Sequence, residues 1–407
     1  MRDTDSESGR PNPIPCGTYD DCVGCSACSA ICPRNCISMQ PNNEGFLFPV
    51  VDSSSCAACG LCRKICPVVK AKESGAVADG SAGRQPLSVH AAWNLASDIR
   101  KDSTSGGMFT ALSERILFDG GLVVGAAFGD GMAVRHIIVE NENELYRLRG
   151  SKYVQSELSV DVLKGIRDAL ENGRVVLFSG TPCQVAGLRA FLRRDYDNLY
   201  CCDIVCMGTP SPLLLSSYVS WLAWRRRSEP ESMMFREKSK GWKVPSVYIR
   251  FSDGSILRER SVDNSYYLAF GRRFALRESC YDCRFKGLSR SGDITMGDFW
   301  GVDKTYPEYD AMDEGTSLVF VNSEKGRRLL GMVSDRVFLG PADVRTAVAS
   351  NPMILQSASR PQTRDGFYGF LKRESFGGAV RRFRLRRRGK FLSLLDRIRK
   401  HLFKHAD

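Results

Sequence analysis

The fold of this chain is decided by two cysteine runs, CVGCSACSAICP (22–33) and CAACGLCRKICP (56–67), which begin 34 residues apart. In each run two residues separate the first three cysteines, and a fourth cysteine follows after three more residues and precedes a proline. Thiolates at this spacing hold three corners of an iron–sulfur cube along one tight loop, and the fourth cysteine binds the cube of the other run. The repeat therefore predicts two 4Fe–4S clusters, with the ligands Cys22, Cys25, Cys28 and Cys66 for the first and Cys32, Cys56, Cys59 and Cys62 for the second.

A zinc ribbon is the alternative interpretation of these runs, because paired Cys-x2-Cys loops also bind zinc. Zinc needs four thiolates per ion, and it gives no role to a run of three cysteines followed by Cys-Pro that occurs twice. We therefore favour iron–sulfur clusters. Cys16 and Cys36 lie outside the repeat and are expected to be structural thiols.

Composition indicates a water-soluble chain of 407 residues with two or three domains. Hydrophobic residues make up 43% and charged residues 26%, as in ordinary globular proteins. The sequence has no uninterrupted apolar run of the roughly 18 residues that a membrane-spanning helix needs. The N-terminus, MRDTDSESGRPNPIP, has no apolar segment typical of a secretory signal, so we expect a cytoplasmic protein. Its 16 cysteines should then be metal ligands or reactive thiols rather than disulfides.

The positive charge is concentrated at the C-terminus. Residues 371–407 carry 13 Lys and Arg against three acidic residues, while the whole chain has a formal net charge of +12. From residue 381 onward, apolar residues at mostly helical spacing alternate with Lys and Arg, which predicts a basic amphipathic helix. Such a helix can bind an anionic membrane surface at the inner face of the membrane, or pack one apolar face on the protein body. We weigh these two equally and disfavour nucleic acid.

The pattern along the chain predicts an α/β protein (α+β overall). RVVLFSGTPCQVAGLRAFLRR (174–194) indicates a strand, a tight turn and a helix, and LYCCDIVC (199–206) indicates a strand that leads into a second helix. This alternation is typical of parallel strands within a mixed sheet. VYIRFSDGSILRER (247–260) alternates around Asp253-Gly254 and predicts a hairpin. We expect a disordered segment (1–15), a two-cluster ferredoxin-like module (16–69), a linker (70–86), a body in two parts (87–170 and 171–340) and a less regular C-terminal extension with the basic helical tail (341–407).

The body offers a third set of thiols. Cys183 should begin a helix, whose N-terminus lowers the pKa of a thiol, and Cys206 should end the next strand at the same edge of the sheet. Cys280 and Cys283 form a Cys-x2-Cys loop, for which a zinc site and a redox disulfide remain alternatives. The four cysteines together could hold a third cluster.

Six motifs behind the ferredoxin-like head carry a resemblance to a known family. They are STSGGMF (103–109), RGSKYVQS (149–156), GTPCQVAGL (180–188), DIVCMGTPSP (203–212), SCYDCRF (279–285) and GDITMGDFWG (292–301). In combination they resemble the coenzyme F420 hydrogenase/dehydrogenase beta-subunit family over about residues 20–335. The resemblance implies an iron–sulfur flavoprotein with a flavoprotein-like body, which binds FAD and uses ferredoxin or coenzyme F420 as electron carrier.

Carried over by residue, the resemblance implies a cofactor-binding set made of Ser103, Thr104, Ser105, Gly106, Gly107, Arg149, Ser151 and Lys152. A Ser/Gly loop before a helix offers hydroxyl and N–H donors to a diphosphate, although an ordinary helix cap and a solvated basic turn are the plainer interpretations. The resemblance also assigns four body cysteines to an additional cluster: Cys183, Cys206, Cys280 and Cys283. Relatives commonly carry His where this chain has Met207, so no catalytic residue is assigned.

The function predicted from these observations is an oxidoreductase that passes electrons between ferredoxin or reduced F420 and an organic substrate through 4Fe–4S clusters and FAD. Clusters carry single electrons, and a flavin can exchange one or two. The alternative is an electron-transfer subunit without substrate chemistry, which serves a partner enzyme such as one of polysaccharide or cell-envelope biosynthesis.

Overall fold

The computed structural model describes residues 15–74, 85–310 and 313–386. Residues 1–14 of the disordered segment predicted for residues 1–15, most of the linker and the basic tail from residue 387 lie outside the described residues. No helix in the described part of the chain is both long enough and apolar enough to cross a bilayer.

The head, residues 15–74, repeats its backbone as well as its sequence. Its elements are α1 (Ala27–Ile31), β1 (Ile37–Pro41), β2 (Leu47–Val51), α2 (Leu61–Lys64) and α3 (Pro67–Ser74). The residues on either side of the second cysteine in each run take a left-handed backbone: Gly24 (φ 69°) and Ser26 (φ 60°) in the first, Ala58 (φ 54°) and Gly60 (φ 70°) in the second. This shared local bend curls each run into a tight loop before α1 or α2 begins. Because α3 continues to Ser74, the prediction that the linker starts at residue 70 is wrong.

A mixed sheet of eight strands forms the centre of the body. Its strands are β3 (Ser88–Asn94), β4 (Leu122–Phe128), β5 (Val134–Val139), β6 (Val176–Gly180), β7 (Leu199–Ile204), β11 (Ile294–Asp298), β12 (Ser317–Val321) and β13 (Val337–Pro341). They are ordered β13-β3-β12-β11-β7-β6-β4-β5. The four central strands β4, β6, β7 and β11 are parallel, and the outer strands are antiparallel to their neighbours. The structure thus confirms the predicted α/β class and mixed sheet.

A second, smaller sheet has the order β10-β9-β8, from β8 (Pro230–Glu237), β9 (Ser246–Phe251) and β10 (Ile256–Arg260). The β9–β10 pair is the hairpin predicted around Asp253-Gly254. The helices of the body are α4 (Ser97–Asp102), α5 (Met108–Phe118), α6 (Val160–Glu171), α7 (Pro182–Leu192), α8 (Pro212–Arg226), α9 (Ser265–Gly271), α10 (Val302–Thr305), α11 (Glu324–Gly331), α12 (Val344–Ser350), α13 (Arg364–Arg373) and α14 (Phe376–Arg382). The last three lie where the sequence predicts little regular structure.

The head packs directly on the body. Helix α1 contacts α6 and α7, and α14 contacts α8 and α13. Arg364, at the start of α13, reaches the turn between β1 and β2 and donates to both carboxylate oxygens of Glu44 at 2.9 and 2.6 Å. Helix α13 therefore joins the head to the body through this ion pair.

Candidate iron–sulfur site

The first set of head thiols surrounds one cavity. Cys22, Cys25, Cys28 and Cys66 all line it, so the cysteine from the second run meets the three from the first. Burial raises the pKa of Cys25 to about 12 and also raises those of Cys28 and Cys66. At Cys22 a side-chain hydrogen bond with Cys16 is the main cause that lowers the pKa, and the nearby guanidinium of Arg277 adds to it. Together they outweigh the effect of burial, and the pKa of Cys22 falls to about 6. Cys25, Cys28 and Cys66 thus ionise less readily than free cysteines, and bound irons would stabilise their thiolates.

The second set of head thiols lies at the surface. Cys56 and Cys59 are exposed, and Cys32 and Cys62 are half-buried. Burial raises the pKa of Cys62, and the nearby charges of Cys59 and Cys32 raise it further, so Cys32 lies near the second run. Two of the four predicted ligands are therefore open to solvent.

Two cysteines that the sequence argument sets aside lie against these sets. The Sγ atom of Cys36 is 3.4 Å from that of Cys32. A side-chain hydrogen bond with Cys16 is the largest influence on the pKa of Cys22. The ferredoxin spacing gave no signal for either contact, because neither cysteine belongs to the repeat.

The four body cysteines line a second cavity together. Cys183 lies in the first turn of α7, Cys206 two residues beyond β7, and Cys280 and Cys283 in the loop that follows α9. Thr181 caps α7, donating its N–H to Gln184 Oε1 at 3.0 Å, which fixes the turn that carries Cys183. Cys201 and Cys202 are buried within β7 and are not among the residues that line either cavity.

The expectation of a lowered thiol pKa at Cys183 is wrong. Burial raises the pKa of Cys183 well above its usual value, because desolvation of a thiolate outweighs the helix N-terminus here. Burial also raises the pKa of Cys206 to about 12. Lys286 lines the same cavity and donates to the carbonyl oxygens of Cys206 and, at 2.6 Å, Met353, so a cation that sequence reasoning missed adjoins these thiols.

No three His, Cys, Asp or Glu side chains in the described ranges converge closely enough to chelate a single metal ion. A cube of irons and sulfides is larger than one ion, and its thiolates surround it at its corners. Two sets of four cysteines, each lining its own cavity, fit that larger group.

The two thiol-lined cavities are neighbours. Val23, which follows the ligand Cys22 in the chain, lines both of them. Helix α7 also touches the head at Gly187, where an added Cβ would lie 2.5 Å from the Cβ of Cys25. Only a glycine at this position lets the helix that begins at Cys183 approach the loop of the first head set so closely.

The structure brings the two predicted cofactor segments together. The backbone N–H of Ser151 donates to Thr104 Oγ1 at 2.9 Å. Burial lowers the pKa of Lys152 to about 7, and its ammonium donates to the backbone oxygens of Arg147 and Arg149.

Several donors that the sequence argument offers to a diphosphate are used within the protein. The hydroxyl of Ser103 donates to Ile99 O at 2.7 Å, and that of Ser105 to Thr316 O at 2.9 Å. The N–H of Gly106 donates to Ser317 Oγ at 2.9 Å, and a Cβ there would lie 2.3 Å from Ala92 O, so this glycine serves packing on β3 and β12.

Arg149 is the residue of the set that retains capacity for an anion. Its Nε is buried without a hydrogen-bond partner, and its guanidinium lies 3.6 Å from Glu114. An anionic group therefore fits this region through Arg149, and the fit of the Ser103 and Ser105 hydroxyls is poor.

The segment 149–156 runs from these loops to the wall between the cavities. Gln155 donates from Nε2 to Val23 O at 3.2 Å and accepts from Nη1 of Arg277 at 2.8 Å. The candidate cofactor loops and the two thiol sets are thus joined by one short stretch of chain.

Three family profiles match this chain. The 4Fe-4S dicluster domain matches residues 21–70, and the N-terminal and C-terminal domains of the coenzyme F420 hydrogenase/dehydrogenase beta subunit match residues 89–164 and 173–343. The profiles thus follow one another from the cysteine runs to β13.

Relatives of known identity carry similar names. A subunit of the F420H2 dehydrogenase of Methanosarcina mazei is 22% identical over 330 residues, which are 78% of this chain and 84% of that protein. The coenzyme F420-dependent sulfite reductase of Methanocaldococcus jannaschii is 24% identical over 325 residues, 77% of this chain but 46% of that protein. A chain from the F420-reducing NiFe hydrogenase complex of Methanosarcina barkeri superposes with a TM-score of 0.44 at 17% identity, covering 70% of this chain and 98% of that chain.

Proposed function

This chain belongs to the coenzyme F420 hydrogenase/dehydrogenase beta-subunit family, and from that premise we propose an iron–sulfur oxidoreductase that moves electrons between a one-electron carrier and a two-electron reactant. The observation that carries the proposal is the shared wall of the two thiol-lined cavities at Val23. The exposed set at Cys56 and Cys59 would accept or deliver electrons at the surface, and the first head set and the half-buried body set would relay them into the body.

The ligands we propose are the eight head cysteines for two 4Fe–4S clusters and the four cavity cysteines of the body for a third. The names of the relatives support coenzyme F420 as a carrier, and ferredoxin is the other carrier that suits an exposed cluster. We propose FAD as the group near Arg149 and Lys152. When bound, a flavin supplies the exchange between one-electron and two-electron transfer.

The residues of the chain have distinct roles in this proposal. The thiols of each set would hold an electron-carrying cluster at a fixed position. The left-handed backbone beside Cys25 and Cys59 shapes the loops that carry the thiols of the two head sets. Arg149 binds an anionic part of the cofactor. Head packing on α6 and α7 excludes water from the first set, while the second set stays accessible to a carrier.

Metal analysis of the anaerobically purified full chain tests the proposal. Three clusters correspond to about twelve irons and two to about eight. Cys66→Ser and Cys183→Ser should each remove roughly four irons, and Cys201→Ser, a buried cysteine outside both cavities, should remove none. A wild-type chain without iron would refute the function, and equal iron in Cys183→Ser and wild type would refute the third cluster.

A subunit without substrate chemistry of its own is the second candidate, and the name of the relative from Methanosarcina mazei, a dehydrogenase subunit, favours it. Reduced F420 offered to the isolated chain distinguishes the two candidates. Bleaching of the clusters by reduced F420 alone supports the oxidoreductase. Electron uptake only from a one-electron donor, with none from F420, supports the electron-transfer subunit.

A further inference from the structure

Arg277 is a buried cation between the two thiol-lined cavities. Its side chain is 1% exposed, and it lines the body cavity beside Cys280. Its Nε donates to the backbone oxygen of Cys22 at 2.6 Å, so the same guanidinium reaches the loop that carries the first head set. Gly24, between two of those cysteines, has its backbone against the guanidinium, since a Cβ there would lie 3.0 Å from Nη1.

No carboxylate pairs with the charge of Arg277 in the part of the chain that the structure describes. Its other hydrogen bonds go to Leu47 O at 2.9 Å and Gln155 Oε1 at 2.8 Å, and no carboxylate oxygen lies within 4.0 Å. The rings of Phe46 and Phe48 cover it at 5.4 and 4.0 Å. An isolated charge in such surroundings is costly, and a fold retains it when another charge offsets it.

Arg364 shows what a neutralised arginine looks like in the same neighbourhood. It is 3% exposed and donates to Leu276 O, next to Arg277 in the chain, but Glu44 binds it through both oxygens. The lack of a carboxylate partner among the described residues therefore distinguishes Arg277 from Arg364.

We propose that Arg277 sets the reduction potentials of the centres bound in the two adjacent cavities, by placing a positive charge between them. This inference rests on the proposed iron–sulfur function. Each centre gains one electron, and hence one negative charge, when it is reduced, and a nearby cation stabilises that charge. Net charge, hydrogen bonding and solvent exposure are the factors by which a protein tunes such centres. The low-dielectric surroundings strengthen the effect, and the exposed second head set is screened from it by solvent.

The test is a dithionite titration of the anaerobic full-length protein followed by electron paramagnetic resonance, with signals assigned by means of Cys56→Ser and Cys183→Ser. Arg277→Met should lower the midpoint potentials of the first head centre and the body centre and leave the second head centre unchanged. Arg277→Lys keeps the charge and should leave all midpoints close to wild type. The double variant Glu44→Gln, Arg364→Met removes a buried arginine together with its counter-charge and should shift none.

Unchanged midpoints in Arg277→Met would overturn the inference, and so would an equal shift in Arg277→Lys, because the arginine would then act through its shape alone. If Arg277→Met fails to assemble iron, Gln155→Glu decides the matter. It places a carboxylate at the position 2.8 Å from Nη1 and should lower the same two midpoints. Unaltered midpoints in that variant refute the inference, whereas absence of iron from wild type refutes the proposed function itself.

Discussion

Replacement of Gly187 by alanine tests the contact between α7 and the first head loop. The new Cβ would lie 2.5 Å from Cys25 Cβ and 2.9 Å from its Sγ, while carbon atoms pack at about 3.5–4.0 Å. Either the helix or the ligand loop must therefore move by roughly 1 Å. Overpacking of this kind costs about 1–3 kcal/mol. The better helix propensity of alanine offsets up to about 1 kcal/mol of that cost.

Gly366 in α13 supplies the matched control, because it is an exposed helical glycine with no atom within 4 Å of the position where a Cβ would be. Gly366→Ala should gain about 0.5–1 kcal/mol from helix propensity. The two variants should therefore differ by about 1–3 kcal/mol, which is the cost of the clash. Denaturant unfolding followed by circular dichroism measures this difference, and iron content shows whether Cys25 still binds its centre.

Gly187→Ala should also contain fewer irons than wild type, since a displaced Cys25 thiol cannot complete its set. If it retained full iron and matched Gly366→Ala in stability, the close approach of α7 to the head would be refuted, and with it the short path between the two cavities.

Three further predictions follow from other parts of the molecule. Arg364→Met should destabilise the protein by about 3 kcal/mol. This is the lower end of the cost of breaking a buried ion pair, because Glu44 is partly exposed. Adding Glu44→Gln should restore part of the lost stability, and additive effects of the two substitutions in a denaturant double-mutant cycle would contradict this. Burial lowers the pKa of His136 in the folded protein from 6.5 to about 4. As the pH falls below 6.5, this histidine therefore binds a proton in the unfolded chain before it does so in the folded chain. Up to roughly 3 kcal/mol of the folding stability present above pH 6.5 should then be lost by pH 4. His136→Phe should reduce this slope in denaturation measured across that pH range, and an unchanged slope would contradict the assignment. Removal of residues 387–407, beyond α14, should abolish sedimentation with anionic vesicles, the behaviour of a basic amphipathic helix, and neutral vesicles are the control; full-length protein that fails to bind anionic vesicles refutes the membrane interpretation.

The head and the central strands were predictable because their signals are local. The two runs fix ligand spacing within twelve residues each, and the structure shows the same bends at positions 24 and 58. The strand at 199–206 was placed correctly but ends at Ile204, since residues beyond it turn toward the body cavity.

The C-terminal helices and the cations near the thiols were not predictable in this way. Helix α13 is short and its buried face begins with the charged Arg364, whose role depends on Glu44, 320 positions away in the chain. Arg277 likewise contacts Cys22 across 255 positions. Contacts of this kind leave no periodic pattern in the sequence, so only the folded chain reveals which charges are paired.

The use of the hydrogen-bond donors in the Ser/Gly loop was not predictable for a related reason. A Ser/Gly stretch before a helix has the composition of an anion site, but composition does not show whether its donors are already used. Here Thr316 takes the donor of Ser105, the first residue of β12 takes that of Gly106, and α4 takes that of Ser103. The unpartnered Nε of Arg149 then becomes the distinguishing feature of the region.

The three thiol sets differ in their exposure to solvent. The set with Cys56 and Cys59 is exposed, the first head set is buried but for the half-buried Cys28, and all four body cysteines are half-buried, beside Lys286 and Arg277. Exposure to solvent and nearby charge are both determinants of cluster potential, so the three centres should not be equivalent. Of the three sets, the one with Cys56 and Cys59 is the most open to a carrier that docks at the surface. In the proposed function, electrons that enter there would pass the wall at Val23, where the charge of Arg277 would act on the centres on both sides.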